Sequence, residues 1–179
     1  MRVRDHILLS TAAAAVLAPR LGRDAAGVWA GGVLVDVDHY LWFCARHRRL
    51  SPRAAARFFN AAHPPQTSAT RALHHPLSVA AVLALAVRRR GLRPLALGVS
   101  LHVGLDVHHE ACMSRTRSKA LARDRYSCRS CGVQTPHLDT HVVRQPWLLP
   151  SYGTGNVVAL CGRCHEVAHA RTHEVATWS

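Results

Sequence analysis

Two Cys-x-x-Cys pairs, Cys128/Cys131 and Cys161/Cys164, constrain this chain more than any other feature of it. Each pair makes a tight turn that points two sulfurs at one place, and two such turns complete a tetrahedral four-thiolate shell for Zn²⁺. The chain is 49% hydrophobic and 18% charged; paired cysteines in such a composition read as zinc before disulfides. Reduced thiolates imply a reducing compartment, so the expected location is cytoplasmic. The same composition excludes a disordered polymer. A length of 179 residues leaves room for one ordinary domain or two small ones. Cys44 and Cys112 stand alone and read as small buried hydrophobes.

The chain divides near residue 114. Residues 1–113 are rich in Ala and Leu and hold four apolar runs, Ile7–Ala18, Ala25–Cys44, Leu77–Val87 and Pro94–Val107. Residues 114–179 open with a basic stretch, Ser114 to Arg125, and continue into a Cys/His-rich tail. Only the second apolar run reaches the roughly 20 residues of a bilayer-spanning helix, and it contains Asp36, Asp38 and His39. Two readings of the N-terminal part follow: a soluble bundle of buried helices, or short broken helices at a membrane. Arg88, Arg89, Arg90 and Arg93 suit a cytoplasmic loop in the second reading, which places the chain at the inner face of the cell membrane. Arg2 and Arg4 before the first run have the outline of a signal peptide, which Asp5, His6 and the reduced cysteines argue against.

Between the two cysteine pairs something must fold. Residues 138–143 alternate like a short strand, Trp147–Gly155 reads as a loop, and 161–175 reads as a helix with His165, His169 and His173 four apart on one face. His137 and His173 read as surface histidines. The picture is a strand pair and a helix clamped by zinc. Over about residues 120–170 this arrangement resembles the HNH endonuclease family, in its subgroup with a four-cysteine zinc site. The resemblance implies a ββα-metal fold and hydrolysis of DNA phosphodiester bonds. It makes His141 the general base, Asn156 the residue that orients the active-site loop or helps hold the metal, and His165 a ligand of a catalytic divalent cation such as Mg²⁺, Mn²⁺ or Ni²⁺. It assigns the four cysteines to a structural Zn²⁺. The family usually has Asp or His just before the first His; here that position is Thr140, and Asp139 or His169 is expected to supply the missing ligand.

These residue types suit the chemistry. A histidine titrates in the range needed to take a proton from water near neutral pH, and the charge developing on a phosphate calls for a hard cation at an open site. The net charge of +13 comes from 23 basic and 10 acidic side chains. Arg115, Arg117, Lys119, Arg123, Arg125 and Arg129 are the expected phosphate contacts to DNA, salt-dependent and blind to sequence. A solvated face is the bland alternative for the same run, since the chain is biased throughout toward Ala, Arg, Gly and Pro.

The N-terminal part carries a second constellation: His6, Asp36, Asp38, His39, the pair His74-His75, His102 and Asp106. His102 and Asp106 are four apart and share one helix face. Buried Asp and His in apolar helices need partners, and a shared divalent metal satisfies several at once. Over roughly residues 5–110 this resembles bacterial membrane-bound metal-dependent hydrolases, with an Asp-x-Asp-His motif, a mid-chain His pair and a late His-x-x-x-Asp. Leu73-His74-His75-Pro76 stands where that family usually has Thr-His-Ser, so the ligating His of the pair stays open.

The expected protein is thus mainly α: a helical bundle over 1–113 and a small HNH-like zinc domain over 114–179. The expected activity is an HNH-type endonuclease. The alternatives are a non-catalytic zinc-stabilised module that binds nucleic acid, and a membrane-associated metal-dependent hydrolase working through residues 1–113.

Overall fold

A computed structural model describes residues 2–59, 67, 69–144 and 150–175, with backbone only for 171–175. The side chain of His173 and residues 147–149 of the expected loop lie outside the described residues. The chain is mainly helical, with one small two-stranded sheet. It forms two units, residues up to Val107 and residues from His108 on. The elements are α1 (Val3–Leu21), α2 (Ala25–Val33), α3 (Val37–His47), α4 (Pro52–Phe59), α5 (Pro76–Arg88), α6 (Arg93–Arg123), β1 (Leu138–Val142), β2 (Val157–Cys161) and α7 (Gly162–Val175). Helix α6 is unbroken through residue 114 and contributes to both units.

The long apolar run Ala25–Cys44 does not make one helix. A 3-10 turn at Leu34–Asp36 separates α2 from α3. Among the described residues no helix is long and apolar enough to cross a membrane. The reason is local: the break falls where Asp36 and Asp38 must turn toward partners instead of continuing an apolar rod.

Glycines set the packing of the first unit. A Cβ on Gly31 would lie 2.1 Å from the Leu95 carbonyl oxygen, and one on Gly98 would lie 2.1 Å from the Val28 carbonyl oxygen. Helices α2 and α6 therefore meet backbone to backbone. A Cβ on Gly32 would lie 2.2 Å from Ser10 Oγ, so α1 closes on α2 in the same way. This approach brings the Gly32 carbonyl to His102 on α6. Helix α5 starts at Pro76, a residue suited to the first turn, and His75 caps it by accepting the Leu77 N–H at 3.3 Å. A satellite aromatic group, Trp42 and Phe43 of α3 with Phe58 and Phe59 of α4, packs beside His47.

In the second unit β1 and β2 are antiparallel, with His141 opposite Val158 and Leu138 opposite Cys161. Helix α7 follows β2 directly. Met113 and Ala120 of α6 and Val157 of β2 form the buried apolar centre, with Val142 and Tyr152 against it. The buried Asp124 at the end of α6 accepts the Ala159 N–H of β2 at 3.0 Å and a two-pronged pair from Arg123. Among the described residues this cluster is small, and a structural metal would supplement it.

Because Gly98 meets backbone, a side chain there has nowhere to go. Gly98→Ala is expected to destabilise the first unit by about 1–3 kcal/mol and to lower the thermal midpoint followed by helix circular dichroism. An unchanged midpoint would contradict the close crossing of α2 and α6.

Candidate metal centres

The seven expected N-terminal residues converge. His6 comes from α1, Asp36 from the 3-10 turn, Asp38 and His39 from α3, His74 from the turn before α5, and His102 and Asp106 from α6. His74 Nε2 and His102 Nε2 lie 3.0 Å apart. Asp36 Oδ1 is 3.5 and 3.6 Å from these two nitrogens, and Asp106 Oδ2 is 3.7 and 3.8 Å from them. The outer nitrogens of both rings are occupied. His102 Nδ1 donates to the Gly32 carbonyl at 2.8 Å, and His74 Nδ1 donates to Asp38 Oδ2 at 3.1 Å. When neutral, each ring therefore turns its Nε2 lone pair toward the same point, with two carboxylate oxygens beside it. Carbonyl and carboxylate partners on the far nitrogen are the usual support of metal-ligating histidines.

The remaining members hold this group in place. The His6 ring stacks on His102 with centroids 3.8 Å apart and planes 15° apart, and its Nε2 donates to Asp106 Oδ1 at 3.1 Å. His39 donates to Asp38, which also accepts the Leu73 N–H at 2.9 Å. Asp38 and His39 thus back His74 and stand outside the convergence point. The His pair is settled: His74 faces the centre and His75 caps α5. Asp36 Oδ2 and His6 Nδ1 are buried and have no hydrogen bond among the described residues. Such orphaned atoms call for a ligand. Two or three imidazoles with two carboxylates suit a borderline cation such as Zn²⁺, Mn²⁺ or Fe²⁺.

Without a cation, the pair of facing nitrogens needs a proton. Burial works against a charged His74, but its contacts to Asp36 and Asp38 outweigh that and raise it to about 9. Burial holds His102 below the ordinary histidine value, in spite of its bond to Gly32 and the nearby carboxylates. Asp36, Asp38 and Asp106 are likewise buried, which alone would raise them, yet their histidine contacts keep all three below the usual carboxylate range. At neutral pH the cation-free centre is therefore a His74 imidazolium donating to a neutral His102.

In the second unit the four cysteine sulfurs lie within 4.8 Å of one another, and Cys131 Sγ to Cys161 Sγ is 3.8 Å. Sulfurs on a tetrahedral zinc with bonds of about 2.3 Å stand about 3.8 Å apart; a disulfide is far shorter. The four cysteines could hold a metal such as zinc. Gly132, at φ 76°, lets the first turn close with its N–H on the Cys128 carbonyl at 2.8 Å. Burial would raise the Cys128 thiol, but the backbone N–H groups of Cys161, Cys131 and Ser130 pull it down to about 6. Cys164 keeps a contact to Ser130, yet the crowding sulfurs of Cys161, Cys128 and Cys131 push it up to about 11. One thiolate forms readily and the next resists, as expected where only a cation lets several ionise together.

Beside this cluster His141 of β1 meets His165 and His169 of α7, with ligating nitrogens within 4.8 Å of one another. His165 Nε2 and His169 Nε2 are 3.1 Å apart, and the His141 ring centre is 5.5 and 4.9 Å from theirs. Of the two candidates to replace the ligand absent at Thr140, His169 joins the group. Asp139 lies behind it, its Oδ2 3.4 Å from His165 Nδ1. Burial and the neighbouring His165 hold His141 below the ordinary histidine value. Asn156 does not reach the trio: its side chain accepts from Arg144 N at 2.9 Å and donates to Arg144 O at 2.8 Å, tying the chain after β1 to the turn before β2.

The six expected phosphate contacts are all exposed but not equivalent. Arg123 is committed to Asp124 and to the Thr154 and Val157 carbonyls. Arg117 pairs with Glu110 at 3.1 Å, and Arg129 lies 3.7 Å from Asp124. Arg115, Lys119 and Arg125 have no ion pair among the described residues. His137 is exposed, as expected.

No family model, curated protein or solved structure matches this chain.

Sequence reasoning passed over Arg71, whose Nη2 lies 3.6 Å from Asp106 Oδ2. The only signal was its position three residues before His74. It also had no means of finding the Gly32 carbonyl, a backbone group without a side-chain signature.

A cation entering the first centre must displace the proton on His74. Its affinity is therefore expected to weaken about tenfold for each unit that pH falls from 8 to 6, with one proton released per cation. Calorimetry in buffers of different ionisation enthalpy measures both, on the full chain with its four cysteines preloaded with Zn²⁺ and with His165→Ala and His169→Ala to silence the histidine trio. An affinity flat over that range would contradict the assignment of His74.

Proposed function

We propose that the second unit is a metal-dependent nuclease of the HNH kind that hydrolyses DNA phosphodiester bonds. The observation that carries this reading is the meeting of His141, His165 and His169 within 4.8 Å beside the four-cysteine cluster. Strand β1 supplies His141, and helix α7, which follows β2, supplies His165 and His169; the resemblance over 120–170 implies this order.

The roles follow from the chemistry of each side chain. His141 is held below its ordinary pKa, so it is neutral at pH 7 and able to take a proton from an attacking water. His165 and His169 turn facing nitrogens to one place and would hold the divalent cation. When bound, that cation supplies positive charge for the phosphate and the leaving oxygen. Asp139 sets negative charge beside His165 Nδ1, which favours the proton there and leaves Nε2 to the cation. Asn156 fixes the chain after β1. Arg115, Lys119 and Arg125 supply phosphate contacts that weaken with salt.

A second reading belongs to the first unit. Facing nitrogens 3.0 Å apart with two carboxylates beside them favour a separate metal-dependent hydrolase there, with His74, His102, Asp36 and Asp106 as the residues that would hold its cation.

Supercoiled-plasmid nicking with Mg²⁺, Mn²⁺ or Ni²⁺ tests the first reading. His141→Ala is expected to slow nicking by roughly 10²–10⁴-fold while DNA binding in a gel-shift assay persists. DNA binding by the wild-type chain with no metal-dependent nicking would leave the unit a zinc-stabilised nucleic-acid-binding module.

A further inference from the structure

We propose that Arg71 makes the first centre a site for phosphate esters by holding the phosphoryl oxygens of a substrate beside the cation. The inference rests on the second reading above, that the Asp/His group of the first unit holds a divalent cation.

Three observations carry it. The first is position. Arg71 Nη2 stands 3.6 Å from Asp106 Oδ2, and that oxygen is itself 3.7 and 3.8 Å from the facing nitrogens of His74 and His102. The second is the gradient of exposure. The His102 side chain is 0% exposed, His74 7% and Asp106 15%, but Arg71 is 42% exposed. The group that a solute meets at the edge of this buried centre is thus a guanidinium. The third is rigidity. The buried Thr70 closes a turn through its hydroxyl, which donates to Thr67 O at 2.8 Å and accepts from Thr67 N at 3.0 Å. On the other side of Arg71, Leu73 N is held by Asp38 and His74 N donates to the Arg71 carbonyl at 3.2 Å. The backbone that carries Arg71 is therefore tied to the same Asp38 that orients His74.

A guanidinium placed this way has a chemical preference. Its planar fork matches phosphate oxygens two at a time, and it keeps its charge at any working pH. At 3.6 Å its contact with Asp106 is longer than a hydrogen bond. Once a cation shares the Asp106 carboxylate, the pull of that carboxylate on Arg71 weakens, and Arg71, with its side chain 42% exposed, stays within reach of an incoming anion. A neutral ester or amide would meet this charge only as an oxyanion develops on it, in the transition state. A phosphate ester gains both attraction and orientation.

The rival account is that Arg71 only neutralises Asp106. Calorimetric titration with inorganic phosphate separates the two, on the full Mn²⁺-loaded chain carrying His165→Ala and His169→Ala. Manganese content is counted in the same samples by elemental mass spectrometry. The expected result is phosphate binding that Arg71→Ala weakens roughly ten- to a hundredfold, that Arg71→Lys partly restores, and that acetate does not imitate. Manganese content and thermal midpoint should stay unchanged. If manganese is bound and phosphate affinity does not respond to Arg71→Ala, or acetate binds as well as phosphate, the inference is overturned and the metal centre stands. If the wild-type first unit takes up no manganese, the second reading fails and the inference fails with it.

Discussion

Two imidazole nitrogens 3.0 Å apart, each with its opposite nitrogen already donating, cannot both present lone pairs unless something positive lies between them. The first unit depends on this constraint. Its helices do not meet through a large apolar core; they meet through glycines that bring backbones together, and the same approach delivers the Gly32 carbonyl to His102. The apolar run that might have made one long helix breaks at Leu34–Asp36 so that its carboxylates can face the histidines. Packing and charge are therefore one problem here. The fold buries His6, Asp38 and His102 only because each has been given a polar partner.

The second unit solves the same problem twice with different atoms. Four sulfurs gather in one group, and the imidazoles of His141, His165 and His169 gather in another. Among the described residues its buried apolar cluster is Met113, Ala120 and Val157 with two partly buried neighbours, and the thiolate cluster and the Asp124 network add ties to it. The asymmetry between Cys128 and Cys164, one thiol eased toward ionisation and one pushed away from it, follows from packing sulfurs this closely.

Much of this was legible in the residues. Periodicity located β1 and α7 nearly to the residue, and the recurrence of Asp with His at separated places marked the first centre before any geometry was known. The recurrence worked because buried ionisable groups in apolar helices are costly alone. Other features were not legible. Nothing in His74-His75 says which ring faces inward; the choice depends on Pro76 starting a helix that leaves His75 as its cap. Asp139 and His169 were equivalent on spacing, and the turn from β2 into α7 decides between them by carrying His169 over His141. The basic run from Arg115 to Arg129 has one sign but several uses, since Arg123 is spent on Asp124 and two carbonyls. Arg71 carried little signal because its meaning lies in a contact with a residue 35 positions away.

The central claim is that each convergence of lone pairs is a cation site. The most direct measurement is the number of metal ions per purified full-length chain by elemental mass spectrometry, for the wild type, His102→Ala and Cys161→Ser. Three per chain are expected, with zinc lost in Cys161→Ser and a different ion lost in His102→Ala. A single zinc in the wild type, removed by Cys161→Ser and indifferent to His102→Ala, would contradict that claim.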